Sequence, residues 1–295
     1  MKIMKIVIFM LIFMLILSGG TFAHEVWIEM KPEGEVGQQH IININWGDFG
    51  QFLDPRSSYF NSIIKGELWV LAPDGQKINL EPEEWPDRYV ARFTPQAGGD
   101  HQVIFYHHRG VINQQHGEPK GLMTIEVISK AFIDIEGEAE IKAWDQVAGL
   151  PLEVKALTDV GHLHTGGEVK GQLLFFGEPL ADINMTIYPP GGEYDEPLRI
   201  TTDRAGQFSF IADKEGAWLI KVSYLDDSVK HVDGHDVIGA RYNFTMTVFP
   251  HYGGGDSPST KPAKPAGNNI IHYLYLLAGA LVAGAAYMFG KSKSS

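Results

Sequence analysis

Apolar and polar positions alternate with a period of two along most of this chain, and a helical period is hard to find. "HIININW" (His40–Trp46) alternates around β-branched residues. "GELWVLAPDGQKINL" reads as two strands folded on a Pro73-Asp74-Gly75 turn. "DRYVARFTP", "GDHQVIFYHHRG" and "GLMTIEVIS" supply three further runs of the same kind. Residues 24–128 are therefore expected to form a first antiparallel β-sandwich domain. A connector, 129–151, carries at most a short helical turn. Short alternating runs resume in "GGEVKGQLLFFGEPLADINMTIYPPGG", "LRITTDRAGQFSFIADKEGAWLIKVSY" and "ARYNFTMTVF", with Asp203 and Gly206 bracketing a tight turn. About seven short strands in roughly 100 residues predict a second sandwich, immunoglobulin- or transthyretin-like, over residues 152–249.

The alternation fails at both ends, for different reasons. Residues 1–23 place Lys2 and Lys5 before an apolar run from Ile6 to Leu17, then small residues with Thr21 and Ala23 where a signal peptidase reads. At about 12 residues the run is short for a bilayer span, so a cleavable export signal is expected. At the other end, "PHYGGGDSPSTKPAKPAGNN" has nothing to pack and reads as an extended linker, 250–268. Residues 269–289 then form an apolar stretch of bilayer length, edged by Tyr273, Tyr275 and Tyr287 and followed by Lys291 and Lys293 in a short tail, 290–295. The expected molecule is all-β, exported, and held by one C-terminal transmembrane helix. Its ectodomain would be periplasmic or extracellular and its C-terminus cytoplasmic.

Composition narrows the chemistry. Cysteine is absent, so disulfides, thiolate metal sites and cysteine nucleophiles are excluded, and a transition metal would have to be held by nitrogen and oxygen. Between residues 24 and 268 lie 36 acidic and 20 basic residues, a formal charge of −16, which argues against nucleic acid as a partner and tolerates cations. No G-x-S-x-G elbow, glycine-rich phosphate loop or H-E-x-x-H helix is present, and no enzymatic activity is expected. The six tryptophans read as packing residues.

Histidine stands out, with 12 residues of which 11 precede the apolar C-terminal stretch. Cleavage after Ala23 would make His24 the first residue, offering its α-amine and its imidazole to one ion. One more histidine would complete a three-nitrogen brace. His107 or His108, at the end of a predicted strand, is the first candidate, with carboxylate or water filling in. His162 and His164 form an H-x-H pair that would share a face if extended. His231 and His235, in "KHVDGHD", are weaker candidates beside Asp233 and Asp236. Imidazole suits nickel, cobalt, copper and zinc.

"AHEVWIE" after the export signal, "GELWVLAPDG", "GGDHQVIFYHHRG", "AGLPLEVKALTD" and the runs from "GGEVKGQLLFFGEPLADINMTIY" to "ARYNFTMTVF" together carry a likeness. The chain resembles a domain-of-unknown-function family described as the periplasmic, substrate-specific component of nickel or cobalt uptake systems. Gly177–Phe210 is also similar to carboxypeptidase-regulatory or transthyretin-like modules. The resemblance implies a divalent metal handled beside membrane transporter components, with His24 at the position where the family places a histidine after the cleavage site. "GHLHTGG" departs from the family pattern. Two other functions fit the same residues: a structural or adhesive surface module without metal, and a copper oxidase using the amine-plus-imidazole brace.

Overall fold

A computed structural model describes residues 24–50, 52–115, 118–137, 142–191 and 196–251. The predicted signal (1–23), membrane span (269–289), tail (290–295) and nearly all of the linker lie outside these residues. Among the described residues no helix is long and apolar enough to cross a membrane.

Strands follow one another as the alternation requires. The first part holds β1 (Glu25–Met30), β2 (Glu33–Glu35), β3 (His40–Asp48), β4 (Phe52–Leu53), β5 (Glu67–Leu71), β6 (Lys77–Leu80), β7 (Glu83–Glu84), β8 (Tyr89–Phe93), β9 (Gly99–Gln114) and β10 (Gly121–Glu136). A short 3-10 helix, Phe60–Lys65, precedes β5. The second part holds β11 (Leu152–Ala156), β12 (Gly167–Phe175), β13 (Glu178–Pro179), β14 (Asn184–Tyr188), β15 (Leu198–Thr201), β16 (Gln207–Ala212), β17 (Trp218–Asp226), β18 (His231–Val232), β19 (His235–Asp236) and β20 (Ala240–Val248).

Three sheets carry the architecture, and β18–β19 form a separate small hairpin. A five-stranded sheet runs β1-β3-β8-β7 with β4 on β3, and a four-stranded sheet runs β11-β12-β13 with β16 on β12. The third and largest sheet has nine strands, β15-β14-β17-β20-β10-β9-β5-β6, with β2 added to β10. Each smaller sheet covers part of the large one in a sandwich-like arrangement. Val26, Ile28, Ile42, Ile44, Val103 and Ile133 belong to one core, and Leu152, Val154, Val169, Phe208, Ile220 and Phe244 to the other.

The structure differs from the sequence reading in two respects. The sandwiches are not purely antiparallel: β10 pairs in parallel with β20 (Thr124↔Ala240 to Ala131↔Thr247) and with β2 (Asp134↔Glu33). The boundary drawn at residue 128 also falls inside β10, which runs on to Glu136. The reason is its position at the centre of the large sheet, where Met123–Ile133 is buried without interruption on both faces. Its buried polar residues Thr124, Glu126, Ser129 and Lys130 break the apolar run, so the pattern of the sequence does not mark where the strand ends.

Candidate metal centre

Pairing of β1 with β3 sets Glu25 opposite Gly47, which brings His24 beside Asp48 at the end of β3. Asp54 reaches the same place because its backbone N–H donates to the Trp46 carbonyl at 2.8 Å. The two carboxylates take opposite edges of one ring. His24 Nδ1 lies 2.8 Å from Asp48 Oδ1, and His24 Nε2 lies 3.1 Å from Asp54 Oδ2. Trp46 closes one side edge-on, its ring 5.6 Å from that of His24. Glu25, buried beneath, is held above the usual carboxylate range by desolvation, partly offset by the Lys221 ammonium and reinforced by the negative charge of Asp48. Lys221 Nζ donates a hydrogen bond to Glu25 Oε2. Two carboxylates thus flank His24, and Glu25, near enough to Asp48 to feel its charge, pairs with Lys221.

The other predicted histidines go elsewhere. His107 turns into the first core, where its Nδ1 meets the Tyr59 hydroxyl at 3.1 Å. Burial, assisted by the charges of Arg109, His108 and Lys65, pushes its pKa down to about 4, so it is neutral at pH 7. Ring contacts lead from His24 to Trp46, from Trp46 to Tyr59 at 4.4 Å and from Tyr59 to His107 at 5.8 Å, placing two aromatic rings along the route between the histidines. His108 points to the other face of β9 and meets Glu126 Oε1 at 2.6 Å, while Tyr106 donates to Glu126 Oε2. The two rings expected to supply a third nitrogen are thus engaged by Tyr59 and by Glu126.

The H-x-H pair lies in a turn between β11 and β12, where neighbours two apart need not share a side, and it divides. His162 Nε2 is 2.8 Å from Asp134 Oδ2 and its Nδ1 is 3.3 Å from Asp159 Oδ2. His164 packs edge-on against His251 at 4.8 Å. His231 pairs with Asp236 at 3.0 Å in the small hairpin, and His235 is exposed. Among the described residues, one group of three ligating side chains has its atoms mutually within 4.8 Å: Asp100, Asp134 and His162.

Sequence reading found His24 and His162 but none of Asp48, Asp54, Asp100 and Asp134. In a chain with 36 acidic residues no spacing distinguishes them; only strand register does.

Fold and geometry together define an all-β, sandwich-like protein with carboxylate–imidazole clusters where chain segments meet. The model of the family described as "Domain of unknown function (DUF4198)" matches residues 21–226, and the chain belongs to that family. A search of curated proteins finds no match. Among solved structures, Escherichia coli alpha-2-macroglobulin activated by porcine elastase is 12% identical, with 77% of this chain and 20% of that chain covered and a TM-score of 0.25. This chain therefore spans about a fifth of that protein. A marsupial T cell receptor is 11% identical over 76% of this chain and 74% of its own, with a TM-score of 0.22.

Proposed function

We propose that this chain is a membrane-anchored, extracytoplasmic protein that binds a divalent transition metal, nickel or cobalt first, and hands it to a membrane transporter. Copper and zinc are accommodated by the same donors. No covalent chemistry on a substrate is involved, and the two sandwich regions, the second of immunoglobulin or transthyretin type, serve to present the site.

The observation that carries this reading is His24 seated between Asp48 and Asp54. Processing at Ala23 would free the α-amine, which with Nδ1 closes a six-membered chelate ring on one ion. Asp48 Oδ1, 2.8 Å from Nδ1, stands where a neighbouring ligand belongs, since two donors about 2.1 Å from an ion and at right angles are about 3.0 Å apart. Asp54 then receives the Nε2–H, the contact that orients a metal-bound imidazole and makes it a better donor. Asp48 takes the place first given to His107 or His108. An amine, an imidazole and a carboxylate leave positions for water or for an accepting ligand, as transfer requires.

The same contacts favour a second reading. An imidazole held by carboxylates on both edges can equally be a structural contact that fixes the start of β1, and it would suit a surface module without metal.

The discriminating experiment titrates Ni²⁺ or Co²⁺ into the processed chain beginning at His24 and into the same chain with one extra Ala before it. The insertion keeps every side chain and removes the amine from chelating position. One equivalent of binding lost or weakened roughly a hundredfold by the insertion, and roughly tenfold or more by Asp48→Asn, is the expected result. Equal binding by both forms removes His24 as a chelate, and an absence of binding by either favours the surface module.

A further inference from the structure

Asp100 in β9 and Asp134 in β10 are direct cross-strand partners. Like charges in this position repel, and a sheet ordinarily avoids them. Here the conflict is deepened by burial, for Asp100 is 2% exposed. One of its oxygens, Oδ2, accepts the Ala143 backbone N–H at 2.8 Å. The other, Oδ1, is buried with no hydrogen-bond partner. A buried carboxylate oxygen without a donor carries a desolvation penalty that something must offset.

The turn carrying His162 closes over this pair. Asp159 Oδ1 accepts the N–H groups of Gly161 and His162, both at 3.2 Å, which fixes the turn. Gly161 permits the approach: a Cβ there would stand 2.7 Å from Asp100 Oδ1 and 3.5 Å from Asp134 Cβ. The unpartnered oxygen therefore faces the residue immediately before His162. His162 Nε2 lies 2.8 Å from Asp134 Oδ2, and ligating atoms of all three residues fall within 4.8 Å of one another. The 2.8 Å separation is that of adjacent ligands around an ion whose bonds are about 2.1 Å long, and the 4.8 Å limit lies a little beyond the roughly 4.2 Å of opposite ones, so the three side chains would close in slightly on an ion.

We infer that Asp100, Asp134 and His162 form a second divalent-cation site, independent of His24. Two carboxylates and an imidazole suit a first-row ion such as Mn²⁺, Co²⁺ or Zn²⁺, and the imidazole disfavours Ca²⁺ and Mg²⁺. The half-exposed His162 gives the ion its entry from solvent, with Asp100 at the closed end. A bound cation would neutralise the cross-strand repulsion and give Asp100 Oδ1 its missing partner. It would also pin the turn between β11 and β12 to the end of the β9–β10 hairpin.

The test uses the processed chain with the extra Ala before His24, so that the amine chelate is absent. Cobalt(II) chloride is added and its visible absorbance followed, with thermal unfolding recorded in parallel. One equivalent of Co²⁺ is expected to bind and to raise the unfolding temperature. His162→Gln, a change in a half-exposed turn, and Asp134→Asn should each weaken that binding roughly tenfold or more and abolish the thermal shift, whereas His235→Gln, at an exposed position of the β18–β19 hairpin, should leave both unchanged. Circular dichroism of the metal-free variants verifies that they fold. The inference is overturned if the extended chain binds no Co²⁺, or if the His162→Gln variant binds it as tightly as the parent does. Binding that the Ala insertion alone destroys would support the His24 reading and sink this one.

Discussion

At the residue scale the structure sorts the histidines by what surrounds each ring. His24 and His162 meet carboxylates within reach of water; His107 meets a phenol inside the core. That burial has a consequence for stability. An unfolded histidine takes up its proton near pH 6.5, but His107 in the folded chain resists protonation down to about pH 4. Between those values the unfolded chain binds the extra proton, so acid favours unfolding and stability is lost as pH falls. The full effect is about 3 kcal/mol, from about 1.4 kcal/mol per pKa unit. His107→Gln keeps a partner for Tyr59 and removes the titration. Urea unfolding at pH 7 and pH 4.5 should show the variant losing less stability than the parent over this interval; equal losses would mean that His107 is not the group responsible. Asp100 works in the opposite sense, because burial raises its carboxyl and the folded state then holds its proton more readily than the unfolded.

At the scale of elements, close packing leaves little room for extra atoms in the four-stranded sheet. Gly171 sits in β12 between Ala156 of β11 and Phe208 of β16. A Cβ added there would lie 2.7 Å from the Phe208 ring and 2.8 Å from Val154 Cγ1. Gly171→Ala should destabilise the chain by about 1–3 kcal/mol through overpacking, lowering the melting temperature by several degrees in calorimetry. Phe208→Leu in the same chain should recover part of the loss. An unchanged melting temperature for Gly171→Ala would show that the sheet opens at no cost. Elements of this kind were largely legible in sequence. The runs at His40–Trp46 and Glu67–Leu80 form strands where alternation places them, and Gly75 takes the left-handed conformation its turn needs, at φ 86°. What alternation does not reveal is register. A bulge between Thr124 and Glu126 shifts the β9–β10 pairing by one residue. Continued without it, the pairing would set Asp100 opposite Ile135 and leave Asp134 on the other side of the sheet. The carboxylate pair beneath His162 is therefore a product of one irregularity that no residue spacing announces.

For the molecule as a whole, the decisive fact is the parallel pairing of β10 with β20, strands separated by more than a hundred residues of sequence. It joins the first and second parts of the chain in one sheet, and the core above that sheet is shared. Trp69, Ile104, Ile128 and Phe132 from the first part pack with Leu152, Phe208 and Phe244 from the second. Lys130, fully buried on β10, donates to the Val154 carbonyl at 3.2 Å and stands 3.6 Å from Glu153, so it crosses between the sheets. Desolvation lowers its pKa to about 8 despite Glu153, and separating the parts would strip that carboxylate of its cation. Removing one partner of such a buried pair by substitution costs about 3–5 kcal/mol, because the other charge stays inside without compensation. The described part of the chain should accordingly unfold in one transition, with calorimetric and van't Hoff enthalpies in agreement. Two resolved transitions would show that the shared sheet does not couple its halves. Lys130→Met should lower the single transition without splitting it, while Lys130→Met combined with Glu153→Gln should be less damaging than either substitution alone, because the pair then leaves no uncompensated charge inside. Coupling of this strength bears on metal handling as well: an ion at Asp100, Asp134 and His162 would be bound by residues from both parts, so its affinity would report on the same cooperative unit that calorimetry measures.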